Sequence, residues 1–418
     1  MHSLRNKAYD ALRWSEKYVQ ADMVYIAKNN FWQILGQIAT SFISLALTVV
    51  FANYLPKETY GLYRYILSIA SILGVFTLTG MNQAVNQAVA VGNESALRVS
   101  VRYQLKWSVL QFIAFSLLGL YYFSNGNGTL AVSLWILSAS SPLTAAFNTY
   151  GAYLAGKKEF RLSNVLSIIS TATYAGSIMS AVFLNGNVIW LIVAYALSTL
   201  GSTSIFYILT LRKFKPPAGE AREALKYGRE LTFIDLIAPI TSQIDKIILT
   251  HFWGATQLAI YSLAMAVPDK ASIFIKNWVN IGMPKFASKT PEEMDRVFYT
   301  RIFQGLIIGT ICAIGYVALS PYLFKYLLPK YLDALFYSQL LSISFIFAMP
   351  NRYIGIMMAS QKLSRLIFFS GMTQNVIRIL SYATLGILGG LMGLVAAQVL
   401  NSLVGMIINI IAWRSFRD

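Results

Sequence analysis

Eight ionisable side chains interrupt apolar stretches of this 418-residue sequence, and they are the residues whose chemistry is hardest to explain by packing alone. A charge near the centre of a bilayer costs about 3 kcal/mol or more, so such a group normally faces protein or water. The candidate substrate-binding cations are Arg64, Lys246, Lys270, Arg352 and Arg378, and the candidate ion- or proton-coupling carboxylates are Asp235, Asp245 and Asp269.

The five cations are expected to meet in one cavity that binds an anionic group. Arginine holds phosphate through a bidentate fork, and lysine supplies a compact positive charge. Gln374, Arg378 and Ser381 recur at helical spacing, and amide and hydroxyl side chains of this kind suit sugar hydroxyls. The pattern therefore favours a ligand that carries both phosphate and sugar.

Structural roles are the alternative for the same residues. Asp245 with Lys246, and Asp269 with Lys270, could be helix-pairing groups, and Arg64 and Lys276 could reach an interface. The three carboxylates could instead carry a proton or bind a sodium ion. No cofactor is expected apart from such a coupling ion.

Metal and redox chemistry are not expected from this composition. Cys312 is the single cysteine, and His2 and His251 are the two histidines, so neither a disulfide framework nor a histidine or cysteine metal site can be assembled from them.

The composition is that of a membrane protein. Hydrophobic residues make up 56% of the chain and charged residues only 12%, whereas charged residues approach a quarter in soluble proteins. The net charge of +17 does not predict a nucleic-acid partner, because the basic residues punctuate apolar runs instead of lining one face. The partner predicted first is therefore the lipid bilayer.

Apolar runs long enough to cross about 30 Å of hydrocarbon recur along the chain. They predict an all-α membrane protein with about twelve transmembrane helices, at residues 30–53, 61–83, 105–123, 129–154, 163–184, 188–210, 231–252, 256–278, 302–320, 336–359, 364–387 and 391–413.

Basic residues give the orientation of these spans. Most lie in or beside alternate connections, while the opposite connections hold only Lys57, Lys325 and Lys330. Because lysine and arginine are retained on the cytoplasmic side, the N-terminal segment 1–29 and the C-terminus 414–418 are both predicted to be cytoplasmic. We see no signal peptide in the first 29 residues.

A polar connection at 211–230, with Pro216, Pro217 and six basic residues, divides the spans into six-helix bundles at 30–210 and 231–413. Tyr54 to Tyr63 and Phe252 to Tyr261 each join the first two spans of a half, at an offset of 198 residues. An even number of spans in each half predicts a pseudo-twofold axis along the membrane normal, as in transporters that alternate about a central site.

The sequence resembles the polysaccharide-transport branch of the multidrug/oligosaccharidyl-lipid/polysaccharide exporter superfamily, whose members include O-antigen and capsule-unit flippases. Residues carrying the resemblance are Asn30-Phe31, the joint from Leu55 to Tyr63, the segment from Ser242 to Lys246, Gly254 and Tyr261. The resemblance implies two bundles in the bacterial cytoplasmic (inner) membrane that alternately open to move an undecaprenyl-pyrophosphate-linked glycan outward, driven by a proton or sodium gradient. A glycan polymerase and chain-length machinery are the further partners it suggests.

Three alternatives stay open at this point. A multidrug or other solute exporter of the same superfamily would share twelve spans, although the cationic excess favours anionic cargo. The second alternative is a channel, which would make transport passive, or a purely structural assembly protein. A membrane enzyme of glycan assembly would need catalytic groups gathered in a sizeable aqueous loop. The longest internal loops have only about twenty residues, so we expect a transporter and not an enzyme.

Overall fold

The computed structural model describes the backbone of residues 23–281 and 291–417, and the side chains of residues 32–270 and 292–415. These residues form α-helices with two short 3₁₀ turns, and the described ranges contain no strand. Two compact units divide between Gln243 and Ile244. The predicted N-terminal segment 1–29 lies mostly outside the described residues.

The N-terminal unit is built from helices that follow the apolar runs. They are α1 (Met23–Tyr54), α2 (Lys57–Leu73), α3 (Met81–Ala90), α4 (Ala96–Trp107), α5 (Val109–Ser124), α6 (Gly128–Phe147), α7 (Thr149–Gly156), α8 (Phe160–Leu184), α9 (Val188–Phe214), α10 (Arg222–Ile234) and α11 (Ile237–Thr241). Turns at Gly126 and Gly186 take positive φ, and the side chains of Asn127 and Asn187 accept hydrogen bonds from the backbone of α6 and α9.

The segment predicted as the linker, 211–230, is helical at both ends in the structure. Its first residues extend α9 to Phe214, and α10 begins at Arg222. The face of α10 that carries Gly228 and Thr232 packs on α3: the Gly80 amide donates to the Thr232 hydroxyl at 3.1 Å. The basic residues of α10, which are Arg222, Lys226 and Arg229, occupy only the exposed face of this amphipathic helix.

The described residues of the C-terminal unit form six α-helices. They are α12 (Ile244–Trp253), α13 (Ala255–Ile281), α14 (Pro291–Leu327), α15 (Asp333–Ser342), α16 (Ser344–Ser360) and α17 (Ser364–Arg417). Pro268 lies within α13, which continues to Ile281. Gly305 and Gly309 bring α14 close to the backbone of α16, since a Cβ on Gly309 would lie 2.5 Å from the Phe345 carbonyl oxygen.

The 54 residues of α17 are two helical segments, because Gly390 has non-helical backbone angles of φ 55° and ψ −135°. Hydrogen bonds link residues before Gly390 with residues after it in nested order, so the two segments are antiparallel neighbours. The predicted spans 364–387 and 391–413 correspond to these two segments.

Nine helical stretches within the described residues are long and apolar enough to cross a membrane, and the longest of them contains both segments of α17. The predicted span 231–252 differs most from the structure, because α10, α11 and α12 divide it into three short helices. Asp235, Pro239 and Lys246 therefore do not share one continuous helical face. The span predicted at 256–278 corresponds to α13.

Candidate functional site

A cavity of about 370 Å³ lies within the C-terminal unit, among α13, α15, α16 and α17. This size is within the range of small-ligand sites. Most of the lining side chains carry polar groups: Asp269, Ser344, Asn351, Arg352, Gln374, Arg378, Gln398, Asn401, Ser402 and Asn409. Met265, Pro268, Leu341, Phe345 and Ala348 complete the wall.

Hydrogen bonds between the two segments of α17 order much of this polar wall. Tyr382 donates to Gln398, Asn401 donates to the Ser381 hydroxyl at 2.8 Å, and Gln374 donates to Asn409 at 3.1 Å. The Asn409 amide in turn donates to Asn351 of α16. We call Asn351, Gln374, Gln398, Asn401 and Asn409 the amide ladder, and we call each of these hydrogen bonds one of its rungs.

Arg378 lies between rungs of the amide ladder, one turn from Gln374 and one turn from Ser381 or Tyr382. It is half-buried, and no hydrogen bond or ion pair engages its guanidinium within the described residues. Arg352 is likewise half-buried, lines the same cavity and has no such partner in that part of the chain. Two arginine side chains thus line the cavity without a hydrogen bond or ion pair to any described residue.

Asp245 is a buried carboxylate beside this region, with 3% of its surface exposed. Its Oδ2 accepts a 2.8 Å hydrogen bond from Tyr261, and its Oδ1 has no hydrogen-bond partner among the described residues. The charges of Lys246 and Arg378 both act on this carboxylate. The negative charge of this buried carboxylate is therefore partly offset by nearby positive charges, although the side chain is almost completely shielded from solvent.

The structure brings Arg352, Arg378 and Asp269 together on the cavity. Lys246 and Lys270 belong to the same unit and are half-buried, but neither is among the residues that line it. The C-terminal unit thus supplies its cavity with two of its four candidate cations, because α12, which carries Lys246, does not line the cavity and Lys270 is not among the α13 residues that do. Asp269 is exposed on the cavity wall.

Arg64 and Asp235 lie in the N-terminal unit. Arg64 is half-buried on α2 with its Nε unpartnered among the described residues, and its charge acts on Tyr60, Tyr63 and Tyr174. The hydroxyls of Tyr63 and Tyr174 are 3.0 Å apart. Asp235 is exposed at the C-terminal end of α10.

Within residues 23–281 and 291–417, no three His, Cys, Asp or Glu side chains gather as a metal site. Amide, hydroxyl and guanidinium groups dominate the cavity, so the arrangement is suited to binding a polar anionic molecule by hydrogen bonds and charge.

Residues 26–279 match the family described as polysaccharide biosynthesis proteins. The chain belongs to this family. A relative from Shigella flexneri, named for O-antigen transport, is 23% identical over 267 residues, which are 59% of this chain and 63% of the relative. The chain thus spans less than two thirds of the length of that relative.

Solved structures give the fold of this polysaccharide biosynthesis protein. It is similar to the lipid II flippase MurJ in an inward closed conformation, with a TM-score of 0.68, 15% identity and coverage of 90% of this chain and 87% of that one. It is also similar to an inward-facing MATE multidrug transporter of the MOP superfamily, with a TM-score of 0.66, 14% identity and coverage of 90% and 95%. The all-helical fold predicted from the sequence, and the resemblance to this superfamily, are confirmed.

Sequence reasoning did not identify Gln398, Asn401 and Asn409 as site residues of this family member. Positions 398, 401 and 409 fall within about 80° of one another around a helix, so one face of the last span carries three amides. That spacing was the available signal, but the surrounding apolar residues made the span read as an ordinary lipid-embedded helix.

Proposed function

We propose that this protein flips a polyprenyl-pyrophosphate-linked oligosaccharide, such as an O-antigen, capsule or exopolysaccharide repeat unit, from the cytoplasmic to the outer leaflet of the bacterial inner membrane by alternating access. The observation that carries the proposal is that Arg352 and Arg378 line one cavity and make no hydrogen bond or ion pair within the described residues. Two of the helical stretches that line this cavity are long and apolar enough to cross a membrane.

A guanidinium in this position calls for an anionic partner. Removing an arginine from water is costly unless a counter-charge or hydrogen bonds compensate. Pyrophosphate supplies both, because its oxygens match the fork of the guanidinium and its charge offsets the desolvation. The family and the name of the Shigella flexneri relative support a glycan cargo, and the fold is shared with a lipid II flippase.

Coupling to a proton or sodium gradient is proposed to run through Asp245. Its carboxylate is buried, has one oxygen free of hydrogen bonds within the described residues, and lies within electrostatic reach of Arg378. A change in its charge would alter the field at the anion-binding guanidinium. A glycan polymerase and chain-length machinery are the partners that would use the exported lipid, and no catalytic step is assigned to this chain.

Export of a cationic solute is the second candidate, and Asp269 is the observation that favours it. This exposed carboxylate lines the same cavity as the two arginines, so a cation entering the cavity would find a negative charge on its wall. The fold is shared with the MATE multidrug transporter as well as with the flippase, and is therefore compatible with either cargo.

Reconstitution of the full chain in proteoliposomes tests the proposal. A fluorescent polyprenyl-pyrophosphate-linked oligosaccharide is incorporated, and its movement between leaflets is followed by a membrane-impermeant quencher. We expect Arg378→Ala and Arg352→Ala to slow flipping by about tenfold or more, because each removes a charged hydrogen bond from the anion site. Arg365→Ala is the matched control, since Arg365 is exposed and does not line the cavity.

The same vesicles separate the two candidates and test the coupling. Uptake of a cationic dye without flipping of the labelled lipid would replace the flippase with a solute exporter. Flipping at the wild-type rate by Arg378→Ala and Arg352→Ala would remove the cavity from the mechanism. Asp245→Asn is expected to abolish the stimulation of flipping by an imposed proton or sodium gradient.

A further inference from the structure

The amide ladder retains hydrogen-bonding atoms that its own rungs do not use. Gln398 accepts from Tyr382 through Oε1, and its Nε2 makes no hydrogen bond within the described residues, so it is available to a ligand. Asn351 accepts from Asn409 through Oδ1, and Gln374 donates through Nε2. In the described part of the chain, Nδ2 of Asn351 and Oε1 of Gln374 have no further hydrogen-bond partner. Each of these three side chains lines the cavity.

We infer that the amide ladder is a carbohydrate subsite that binds the sugar nearest the pyrophosphate and selects cargo by its hydroxyl pattern. The inference rests on the proposed function, because it assigns the glycan of the proposed cargo to one wall of the cavity and its phosphate to another.

A sugar is the ligand chemistry that this wall fits. Each hydroxyl both donates and accepts, and the free atoms of the ladder are two amide donors and one amide acceptor. The amide groups carry no net charge, so they would neither hold a second phosphate strongly nor repel a neutral ring. One internal hydrogen bond already orients each amide, which reduces the entropy lost when a ligand binds.

The position of Arg378 joins the two parts of the site. Along the helix, Arg378 is about 6 Å from Gln374 on one side and about 6 Å from Tyr382, the partner of Gln398, on the other. A phosphate held by the Arg378 guanidinium would therefore have amide groups within one helical turn on both sides. That spacing is on the scale of one monosaccharide.

Gly405 keeps part of this wall open. A Cβ at position 405 would lie 2.8 Å from Oε1 of Gln374 and 3.4 Å from Nδ2 of Asn351. These are two of the three atoms that the ladder leaves unused, so the missing side chain leaves them uncovered.

Binding to the purified full chain in detergent tests the inference with two probes. One is a short-chain polyprenyl pyrophosphate without sugar, and the other is the same lipid bearing one N-acetylhexosamine. The informative variant is the double substitution Tyr382→Phe with Gln398→Met, which removes both partners of a rung and so leaves no buried group unsatisfied. Gln339→Met is the matched control, because Gln339 bonds Ser320 in the same unit away from the cavity.

The wild-type chain is expected to bind the sugar-bearing lipid about tenfold more tightly than the sugar-free lipid. In the double variant this ratio should fall toward one while the affinity for the sugar-free lipid stays constant, and Gln339→Met should keep the wild-type ratio.

Equal affinity of the wild-type chain for both probes, or a double variant that keeps the wild-type ratio, would overturn the subsite and leave the anion site intact. Failure of the wild-type chain to bind either probe would overturn the proposed function together with the inference. The sugar-free probe thus separates the two failures.

Discussion

The Tyr261 hydroxyl donates a hydrogen bond to the Asp245 carboxylate, with 2.8 Å between the two oxygens. The bond joins α12 to α13 inside the C-terminal unit, and both side chains are buried. Because the tyrosine is the one side chain seen to donate to this carboxylate within the described residues, the bond both fixes the two helices and orients the proposed coupling group.

Replacing Tyr261 with Phe should therefore destabilise the protein by about 1–3 kcal/mol, the usual effect of leaving a buried polar group without its partner. Thermal unfolding in detergent micelles measures the change. Tyr322→Phe is the control, since Tyr322 is 63% exposed on α14. Equal unfolding temperatures for the two variants would show that the bond contributes nothing.

Gly309→Ala should separate α14 from α16. The new Cβ would lie 2.5 Å from the Phe345 carbonyl oxygen and 2.7 Å from the Ile346 Cα, and neither backbone atom can move without shifting its helix. We expect a loss of about 1–3 kcal/mol, seen as a lower unfolding temperature. Gly315→Ala on the same helix meets nothing within 4 Å and should unfold at or slightly above the wild-type temperature, so a matching drop would refute the packing argument.

Gly405→Ala should alter sugar discrimination more than stability. The added methyl group would press on the end of the Gln374 side chain, which can rotate away with little strain. We expect the unfolding temperature to stay near that of wild type, while the affinity ratio between sugar-bearing and sugar-free lipid falls about threefold. Gly371→Ala, also on α17 but in open space, provides the comparison; an unchanged ratio in Gly405→Ala would count against the ladder as a recognition surface.

Glu94, which lies just before α4 in the N-terminal unit, should make the folding stability of the protein depend on pH. Hydrogen bonds from Lys157 and then from Tyr153 hold the pKa of Glu94 below its ordinary value of 4.5. A lowered folded-state pKa stabilises the protein above the unfolded pKa, and the stabilisation is lost as the pH falls through the folded pKa.

The difference in unfolding free energy between wild type and Glu94→Gln should thus be constant above about pH 4.5 and shrink below it, with a size of about 1 kcal/mol or less. Chemical denaturation across this pH range measures it. Glu220→Gln removes the exposed pair with Arg222 and should produce no measurable difference at any pH. A difference for Glu94→Gln that grows on acidification would reverse the assigned sign.

Local composition was sufficient to predict the helices, because a membrane leaves an apolar segment few alternatives. The turns before α6 and α9 also follow from local chemistry, because the side chains of Asn127 and Asn187 accept hydrogen bonds from the backbone of the helix that follows. The single span predicted at 231–252 is wrong where packing decides. The region divides into short helices, and α10 packs through Gly228 on Met81 of α3, a contact between residues about 150 positions apart.

The site could be predicted only in part for the same reason. Arg352 and Arg378 stood out because a charge in an apolar run is conspicuous, whereas Asn401 and Gln398 are single neutral residues in a span that otherwise reads as lipid-facing. Which cations share a cavity depends on the rotation of each helix about its axis. Lys270 follows Asp269 directly, yet Asp269 lines the cavity and Lys270 does not.

The rungs of α17 join residues separated by 16, 20 and 35 positions, nested about the break at Gly390. Inserting one residue between Gly390 and Gln398 would rotate the whole second segment by about 100° relative to the first, and every rung would lose its partner at once. The length of this connection is therefore constrained more strictly than its amino-acid content, and relatives that keep the same rungs should differ here by substitution and not by insertion or deletion.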